Sequence, residues 1–322
     1  MRVLVTGCFG YLGPVIVRHL KAAGHYVIGL DTGWFLPNYA EMPTWPHYAA
    51  WTDLRDIRPA DVGGECPDVI VHLAGLSNDP LGDIDEALTQ RINDFATLEL
   101  IASTPQARHV IVSSCSVYGH TEDIATEDTP VNPLTAYARA KAEVDKWAPM
   151  FAAYGGVISL RLGTVWGYSP GHRLDLVVNR MMFDAIHSER VTAQTNAWRP
   201  LVHVEDVARN VTHYVENDAT GIRNVVGENV QMQALAGRIA DYVGVPATFD
   251  DGSADRRDYR ARNSGLRSLH SVFNDDDLFD LFVNTQLLPV SAVDPTDRYT
   301  RLNSLRRLMN LGLLDKDLRR IT

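Results

Sequence analysis

A short apolar strand, a glycine-rich turn and the start of a helix follow one another in Val3-Leu4-Val5-Thr6-Gly7-Cys8-Phe9-Gly10-Tyr11-Leu12-Gly13. Glycines at three-residue spacing let the backbone turn sharply and come close to a bound pyrophosphate. The helix that follows begins with unpaired N–H groups and a partial positive charge, which also favour an anion. A glycine-rich turn alone is weak evidence, because tight strand-to-helix turns also use glycine for its shape. The segment therefore predicts a dinucleotide site only together with further features of the chain.

The end of the second predicted strand supplies one such feature. The apolar run Tyr26–Leu30 leads into Asp31, eighteen residues beyond Gly13. A carboxylate at this place can accept hydrogen bonds from both hydroxyls of an adenosine ribose, and it repels a 2′-phosphate. Thr32 and Gly33 follow, with no neighbouring arginine to hold such a phosphate. Asp31 as a simple turn residue is the weaker alternative, and the two features together predict NAD rather than NADP as the cofactor.

Short apolar runs alternate with amphipathic stretches in the first half of the chain. The runs are apolar on both faces, which is typical of parallel strands buried between helical layers. The predicted strands are Val3–Thr6, Tyr26–Leu30, Val69–Leu73, His109–Ser113 and Val157–Leu162, and the predicted helices are Gly13–Ala23, Asp85–Ser103 and Tyr137–Tyr154. Strands that alternate with helices form right-handed βαβ units. We therefore expect an α/β fold with a Rossmann-type doubly wound parallel sheet.

The second half of the chain is less regular. It contains a predicted strand at Leu201–Val204, a helix at Val207–Glu216 and a short strand at Asn224–Val226. A helix at Ala234–Val243 ends at a glycine, which is a common C-terminal signal. Leucines at helical spacing in Leu302–Leu314 indicate core packing or an interface.

The composition limits the possible classes of function. The 45% hydrophobic and 22% charged content is ordinary for a globular protein, and a net charge of −10 argues against a nucleic-acid surface. The chain opens directly on a strand, and no apolar run approaches the ~20 residues of a membrane span. Cys8, Cys66 and Cys115 fit neither a disulfide framework nor a zinc site. We therefore expect a cytoplasmic protein that binds no metal, membrane or nucleic acid.

A serine cluster and a Tyr–Lys pair follow the fourth predicted strand. Ser113 ends that strand, Ser114 and Ser116 follow within three residues, and Tyr137 precedes Lys141 by one helical turn. Side chains at this spacing share one helix face, so the ammonium can lie near the phenol. A phenol with an ordinary pKa of about 10 is a poor base at neutral pH, and a buried cation stabilises its phenolate. Alone the pair is common on solvated helices, but with the other features it predicts proton transfer from a bound hydroxyl.

These motifs together resemble the extended short-chain dehydrogenase/reductase superfamily and, within it, the NAD-dependent nucleotide-sugar epimerases and dehydratases. In chain order the motifs are Thr6-Gly7-x-x-Gly10-x-x-Gly13, Asp31, Asp53-Leu54, His72-Leu73-Ala74-Gly75, Ser113–Gly119, Tyr137-x-x-x-Lys141, Arg161-x-x-Thr164-x-x-Gly167 and Arg199-Pro200-Leu201-Val202-His203-Val204-x-Asp206. Their joint occurrence over nearly the whole chain makes the resemblance specific. It implies an NAD-binding Rossmann domain at 1–165, to which 200–226 returns, and a smaller C-terminal nucleotide-sugar-binding cap made of 166–199 and 227–322.

The resemblance also implies roles for individual residues. Ser114, Tyr137 and Lys141 would be catalytic, with Tyr137 as the base. NAD would contact Gly7, Phe9, Gly10, Tyr11, Leu12, Gly13, Asp31, Asp53, Leu54, Leu73, Ala74, Gly75, Asn93, Ser113, Tyr137, Lys141, Leu162 and Val165. The substrate would contact Ser114, Ser116, Tyr137, Thr164, His172, Arg173, Asn179, Arg199 and Arg257. Two of these arginines, Arg199 and Arg257, would grip a diphosphate. His172 would be an acid or base of the sugar loop, or a plain surface residue.

Two departures from the family pattern bear on the reaction. The 4,6-dehydratase branch carries Asp-Glu directly after its catalytic threonine, where this chain has Cys115 and Ser116, so dehydration is not expected. The 3,5-epimerases carry a cysteine at the position of Ser116. Cys115 comes one residue too early for that role, and its side chain is expected to pack rather than react.

We therefore expect an NAD-dependent enzyme that oxidises a nucleotide-linked sugar at C4, as an epimerase or a dehydrogenase. Its partner would be a nucleotide-diphosphate sugar, and by the resemblance it would form a homodimer. One alternative is a 4-ketosugar reductase that uses NAD(P)H, against which Asp31 counts. Another is a non-catalytic NAD-binding sensor, which would have no need for the Ser–Tyr–Lys set.

Overall fold

The computed structural model describes residues 1–35, 44–57, 66–77, 82–83, 85–147, 150, 155–250, 257–288 and 308–319. Within these ranges, no helix combines the length and the apolar character that crossing a membrane requires. The same ranges hold no cluster of three or more His, Cys, Asp or Glu side chains placed to bind a metal ion.

Seven parallel strands form the main sheet, and five of them correspond to the predicted doubly apolar runs. The edge strand Gly221–Val225 overlaps the predicted short strand Asn224–Val226, and the other edge strand, Tyr48–Trp51, was not predicted. In spatial order the seven strands are β11 (Gly221–Val225), β7 (Val157–Leu162), β5 (Arg108–Ser114), β4 (Val69–His72), β1 (Arg2–Thr6), β2 (Tyr26–Asp31) and β3 (Tyr48–Trp51). The register places Thr6, the last residue of the central strand, beside Leu30 on one side and His72 on the other. The carboxyl ends of these strands therefore meet at one edge of the sheet, and the predicted Rossmann-type sheet is confirmed.

Eight helices belong to the described part of the chain. They are α1 (Gly13–Ala22), α2 (Glu86–Gln90), α3 (Ala96–Ser103), α4 (Ala136–Trp147), α5 (Val177–His187), α6 (Val204–Val215), α7 (Met232–Val243) and α8 (Asp275–Gln286). The first turn of α1 contains Pro14. Proline lacks a backbone N–H, which costs nothing here because N–H groups of the first turn have no hydrogen-bond partner within the helix. This helix buries Ile16 and Leu20 completely. It lies beside α6, and both helices pack on the main sheet.

The predicted helices are present, with some bounds shifted. The predicted helix Asp85–Ser103 is continuous but contains a π-helical turn, Arg91–Phe95, between α2 and α3. Helix α4 ends at Trp147, and residues 148–149 and 151–154 of its predicted extent lie outside the described residues. Helix α6 begins at Val204, three residues earlier than predicted. The reason is that the His203 ring accepts a hydrogen bond from the first turn and so caps the helix.

A second group of elements has a core of its own, which includes Trp166, Met182, Leu235 and Leu278. Its strands are β8 (Thr164–Trp166), β10 (Trp198–His203) and β12 (Glu228–Gln231) in one sheet, β9 (Val191–Ala193) with β13 (Ala247–Phe249), and β6 (His120–Ala125) with β14 (Asp258–Ala261). Helices α5, α7 and α8 pack on this core. We call this group the cap.

One part of the predicted domain division differs from the observed pairing. Residues 200–226 are predicted to return to the first domain, and β11 does so as the edge strand of the main sheet. Strand β10, however, pairs with β8 and β12 in the three-stranded sheet of the cap. Its residues alternate between two cores, with Val202 in the core of the main sheet and Leu201 in that of the cap.

The end of the described chain also departs from the predicted division. Residues 308–319 are predicted to belong to the cap, but Leu314 and Leu318 pack against Leu76 and Ile92, beside the main sheet. Of the predicted leucine-rich helix, residues 302–307 lie outside the described ranges and Leu308 begins a single helical turn. The predicted domain boundaries followed the order of the sequence, and such boundaries cannot show that residues 308–319 fold back on the first half of the chain.

Candidate functional site

A cavity of about 950 Å³ lies between the carboxyl edge of the main sheet and the cap. Most of the predicted site residues line its wall. They are Gly7, Phe9, Gly10, Tyr11, Leu12, Asp31, Asp53, Leu54, Leu73, Ala74, Gly75, Ser113, Ser114, Ser116, Tyr137, Lys141, Leu162, Thr164, Val165, Arg173, Arg199 and Arg257. The cavity therefore brings together residues that are widely separated in the sequence.

The loop after β1 fits a pyrophosphate by its shape. Gly7 has a φ of 71°, and a Cβ there would lie 2.8 Å from the backbone nitrogen of Ala74. A Cβ on Gly13 would lie 2.2 Å from the carbonyl oxygen of Cys8, so this glycine lets the helix start close to the loop. No side chain in the described part of the chain caps the N-terminus of α1. The start of this helix next to the lining residue Leu12 suits a bound anion.

Asp31 ends β2 and fixes the shape of the same loop. One carboxylate oxygen accepts from the backbone N–H of Phe9 at 2.9 Å, and the other accepts from Gly33 at 2.8 Å. Each oxygen has further lone pairs that can accept from a hydroxyl group. The next lining residues, Thr32 and Trp34, carry no positive charge. The surroundings of Asp31 therefore suit an unphosphorylated ribose and not a 2′-phosphate.

The short 3₁₀ turn after β3 places two further lining residues, Asp53 and Leu54. Asp53 caps the turn by accepting from the backbone N–H of Arg55, and the Arg55 side chain forms a bidentate ion pair with it. Burial acts to raise the pKa of Asp53, but the hydrogen bonds and charge of Arg55 outweigh burial and hold the pKa below its ordinary value. Asp53 is therefore a fixed anion on this wall of the cavity.

Three serines lie where β5 ends. The Oγ of Ser114 accepts from the backbone N–H of Ser116 and so caps the turn Cys115–Tyr118. The hydroxyl oxygens of Ser113 and Ser116 are buried and have no hydrogen-bond partner among the described residues. Buried hydroxyls in native proteins are normally paired. Both side chains belong to the cavity lining, so a bound ligand is a candidate partner for these two hydroxyls.

Tyr137 and Lys141 project from the first turns of α4 towards the same place. The Lys141 Nζ lies 5.9 Å from the centroid of the Tyr137 ring and donates to the carbonyl oxygen of Val112 at 2.7 Å. Burial lowers the pKa of Lys141 to about 8, although Asp145 acts in the opposite direction. The ammonium is therefore mostly charged near pH 7 and is held between the phenol and the end of β5.

The cap contributes arginines to the far part of the wall. Arg173 donates to Asp175 through two nitrogens and to the Ser77 hydroxyl at 2.9 Å, which ties the cap loop to the end of β4. Arg199 lies over the Tyr259 ring and donates to the backbone carbonyl of Arg257. A polyanion entering this end would meet several guanidinium groups.

Sequence reasoning missed part of this wall. Arg180, Asp184 and Ser188 line the cavity from α5 and the residue after it, and Arg190 follows. The signal was present, because α5 residues three and four positions apart share one face of the helix. Val177, Arg180, Met181 and Asp184 follow that spacing.

Three predicted site residues lie behind the wall and hold it in place. Gly13 lies under the loop as described above. Asn93, on the π-helical turn, accepts from the backbone N–H of Leu76 at 2.7 Å and donates to its carbonyl at 2.9 Å. Asn179 accepts from the backbone N–H of Gly167 and donates to the Arg173 carbonyl. These amides position lining segments and are not part of the described lining.

His172 is placed differently from the expected acid or base. It is not part of the cavity lining, and its ring lies 5.7 Å from that of Tyr168. Both ring nitrogens are buried without a partner among the described residues, and burial lowers the pKa of His172 to about 4. The buried ring nitrogens differ from the plain surface residue that was the alternative. A neutral imidazole off the cavity lining gives no support to a role as acid or base, which stays a prediction.

Cys115 packs as expected. Its side chain is fully buried, and its Sγ donates to the carbonyl of Arg161 at 3.3 Å. Burial raises the pKa of the thiol well above its ordinary value, so a thiolate does not form near neutral pH.

The chain is similar in sequence and in fold to several known proteins. The model of the family described as NAD dependent epimerase/dehydratase matches residues 3–227. The chain is 28% identical to a probable UDP-glucuronate 4-epimerase of Rhizobium meliloti over 236 residues, 66% of this chain and 67% of that protein. It is 34% identical to the UDP-glucose 4-epimerase of Mycolicibacterium smegmatis over 165 residues, 47% of this chain and 51% of that protein. The solved structure of MoeE5 in complex with UDP-glucose and NAD matches with a TM-score of 0.74 and 26% identity, covering 89% of this chain and 99% of that chain.

Proposed function

The chain belongs to the NAD-dependent epimerase/dehydratase family, and on that premise we propose that it oxidises a nucleotide-linked sugar at C4, as an epimerase or a dehydrogenase. The observation that carries the proposal is the meeting of two residue sets in one cavity. Tyr137, Lys141 and the unpartnered serine hydroxyls form the first set, and the glycine loop with Asp31 forms the second. Proton-transfer groups therefore face the same space as the groups suited to a dinucleotide.

The residues that would hold NAD follow from the shape of the cavity. The loop around Gly7 and the first N–H groups of α1 suit the pyrophosphate, and Asp31 suits the adenosine ribose. Asp53 and Leu54 would flank the adenine, and Lys141 would reach the nicotinamide ribose. NAD, when bound, supplies the hydride acceptor for oxidation of the sugar.

Tyr137 would take the proton from the sugar hydroxyl at C4. The Lys141 ammonium lies 5.9 Å from the centroid of the Tyr137 ring. Its positive charge favours the phenolate form of the tyrosine. Ser114 and Ser116 would hold the reacting hydroxyl in line with the phenol oxygen. In an epimerase the 4-keto sugar would turn in the cavity, and its C4 oxygen would take back a proton from Tyr137 as C4 regains the hydride that the cofactor had accepted. In a dehydrogenase the 4-keto sugar would leave instead.

The cap end of the cavity supports a nucleotide diphosphate as the carrier of the sugar. Arg199 and Arg257 would bind the diphosphate, and Arg180 and Arg190 line the same cavity. Guanidinium groups bind phosphate oxygens in a fixed, often bidentate geometry. MoeE5 has been solved with UDP-glucose and with UDP-glucuronic acid, in each case with NAD. A UDP-sugar is thus the first substrate class to test.

A homodimer remains part of the proposal. Two exposed apolar side chains lie on neighbouring helical segments, Phe95 on the π-helical turn and Trp147 at the end of α4. These segments are in contact with each other. Exposed aromatic residues on adjacent helices are typical of an interface.

The first experiment is mass spectrometry of the material released when freshly purified protein is denatured, followed by incubation with a panel of UDP-, GDP- and dTDP-sugars. Retained NAD together with conversion of one of these sugars is the expected result. A protein that comes out empty and binds NADPH more tightly than NADH would instead favour the 4-ketosugar reductase. If the protein retains NAD but converts none of the sugars, and Tyr137→Phe retains NAD equally well, the non-catalytic sensor would be favoured.

A further inference from the structure

An apolar cluster joins the C-terminal segment, defined here as residues 308–319, to one wall of the cavity. The segment contributes Leu308, Met309, Leu314 and Leu318 to this cluster. The other members include Trp34, Phe35, Leu76 and Ile92, all of which also line the cavity. Leu314 and Leu318 are almost completely buried. The segment therefore supports these four lining residues from behind.

Arg55 makes a second connection between the segment and the wall. Its Nε and one Nη hold the carboxylate of Asp53, which lines the cavity. The other Nη donates to the carbonyl oxygen of Asp317 at 2.7 Å, and the Nη that holds Asp53 also donates weakly, at 3.3 Å, to the carbonyl oxygen of Leu318. The side chain is only 10% exposed. One buried guanidinium thus couples the position of Asp53 to the end of the described chain.

The segment is folded so that it presents these carbonyl groups. The carboxylate of Asp315 accepts from the backbone N–H groups of Asp317 and Arg319, both at 2.8 Å. The backbone of Asp315 also pairs with those of Leu318 and Arg319. Leu318 has a φ of 55°, which is unusual for a residue other than glycine. This turn is held by the hydrogen bonds of Asp315 within the segment and by those of Arg55 from the first half of the chain.

Two exposed ion pairs add little to this attachment. Arg91 pairs with Asp317, and Arg319 pairs with Asp56, but each of the four side chains is at least 40% exposed. Exposed pairs of this kind contribute about 0–1 kcal/mol. The apolar cluster and the buried Arg55 are therefore the contacts that hold the segment.

We propose that the C-terminal segment is part of the cofactor site and slows the release of NAD by holding the adenosine end of the cavity in place. This inference rests on the proposed function, because it takes Asp31, Asp53 and Leu54 as the residues that meet the adenosine. The wall formed by Trp34, Phe35, Leu76 and Ile92 packs against the segment and cannot move outward without displacing it. Arg55 likewise keeps Asp53 on the wall only while its carbonyl partners are present. NAD leaves through an opening of this wall, so the segment controls how often that opening occurs.

The direct test is deletion of residues 308–322, with the release of bound NADH followed by its fluorescence after mixing with excess NAD. We expect release to become at least about tenfold faster, since most changes in affinity at one site appear in the dissociation rate. The affinity for ADP-ribose, which is the cofactor without its nicotinamide and so keeps the whole adenosine end, should fall by a similar factor. Thermal unfolding followed by circular dichroism shows whether the deleted protein keeps its fold.

Point variants in the intact chain decide the matter if the deletion does not fold. Leu314→Ser removes a buried contact of the segment, and Leu313→Ser alters its exposed neighbour, whose side chain is 52% exposed. Of these two variants, only Leu314→Ser should speed NADH release. Arg55→Met should also speed it. Arg55→Lys retains one charged donor, so its release rate should lie between those of the wild type and Arg55→Met.

Equal release rates in the full chain, in Leu314→Ser and in Arg55→Met would overturn the inference. A loss of thermal stability in Leu314→Ser without faster release would also overturn it, because the segment would then serve only the fold. If the protein bound no NADH or ADP-ribose at all, the proposed function itself would fail first. The measurements use no sugar substrate, so they are independent of whether the enzyme is an epimerase.

Discussion

Gly171 of the cap lies directly on the backbone of Gly10 in the cofactor loop, where a Cβ on Gly171 would be 2.3 Å from the Gly10 carbonyl oxygen. Two hydrogen bonds join the same loops. The Ser169 hydroxyl donates to the Tyr11 carbonyl at 2.5 Å, and the Tyr11 hydroxyl donates to the Gly167 carbonyl at 2.7 Å. The cap loop 167–171 and the glycine loop suited to the phosphates of NAD are therefore fixed to each other.

Gly171→Ala should weaken NAD binding by at least about tenfold, because a side chain at this position forces two fixed backbones apart. Isothermal titration of NAD measures the effect. Gly237→Ala is the matched control, since a Cβ there meets nothing within 4 Å and alanine favours the interior of α7. The control should bind NAD as the wild type does. An equal loss in both variants would mean that the contact between Gly171 and Gly10 is unimportant.

Tyr137→Phe should leave NAD affinity nearly unchanged and reduce turnover by about a thousandfold or more, since it removes only the oxygen that takes the proton. Tyr48→Phe, at an exposed tyrosine away from the cavity lining, should change neither quantity. Steady-state kinetics with the identified sugar nucleotide and a separate NAD titration check the two halves of the prediction. If Tyr137→Phe lost NAD affinity and turnover together, Tyr137 would have a structural role in the site and not a role in proton transfer.

Asp31→Ala should weaken NAD by about 10- to 100-fold, the range for hydrogen bonds to a charged group, and should affect NADP much less. Some loss with both cofactors is expected, because Phe9 and Gly33 also lose their acceptor. Asp31→Asn removes the charge and keeps the size, so it should narrow the preference for NAD over NADP with less damage to the loop. A preference that does not change in either variant would remove Asp31 from the ribose site.

The pH dependence of catalysis should report the protonation of Lys141. Burial lowers its pKa from the ordinary lysine value of about 10.5 to about 8, so the ammonium form is lost as the pH rises through 8. Turnover that needs this charge beside Tyr137 should therefore fall above about pH 8. Lys141→Arg remains charged throughout this range and should show a lower but pH-independent rate between pH 8 and 9.5. A wild-type rate that stays flat over the same range would contradict this role.

Arg161 should be important for stability although it does not line the cavity. Its Nε and the carboxylate of Asp145 form a buried ion pair at 2.6 Å, and it also donates to the Tyr118 hydroxyl. Arg161→Leu leaves the buried Asp145 charge without its partner and should lower the free energy of unfolding by about 3–5 kcal/mol. The double variant with Asp145→Leu should lose less. Urea denaturation measures both, and equal losses would show that the pair itself is unimportant.

The main sheet could be predicted from sequence because its signals are local. Runs that are apolar on both faces, such as Val69–His72, place a strand between two helical layers wherever they occur. The start of α6 was predicted too late because His203 is an uncommon cap, and capping rules look for Ser, Thr, Asp or Asn. The π-helical turn, on which Asn93 supports Gly75 and Leu76, leaves no pattern in the residue types.

The part of the lining proposed to hold the cofactor was also predictable as a group, since its residues directly follow strands and carry motif spacing. The part that was missed depends on contacts across long stretches of chain. Arg55 meets Asp317 only because the end of the chain folds back on the first half. The two unpartnered nitrogens of His172 likewise depend on what surrounds the loop and not on the loop sequence. Such placements require the fold itself.

The strand order of the main sheet has a consequence for the synthesis of the chain. The edge strand β11 is made of residues 221–225, and the chain builds β8, α5, β9, β10 and α6 between its neighbour β7 and itself. During translation β7 therefore exposes a row of unpaired backbone groups until residue 225 has left the ribosome. Such an edge is a template for pairing with other chains. A fragment that stops near residue 165 should accordingly aggregate, although it contains the whole nucleotide-binding motif.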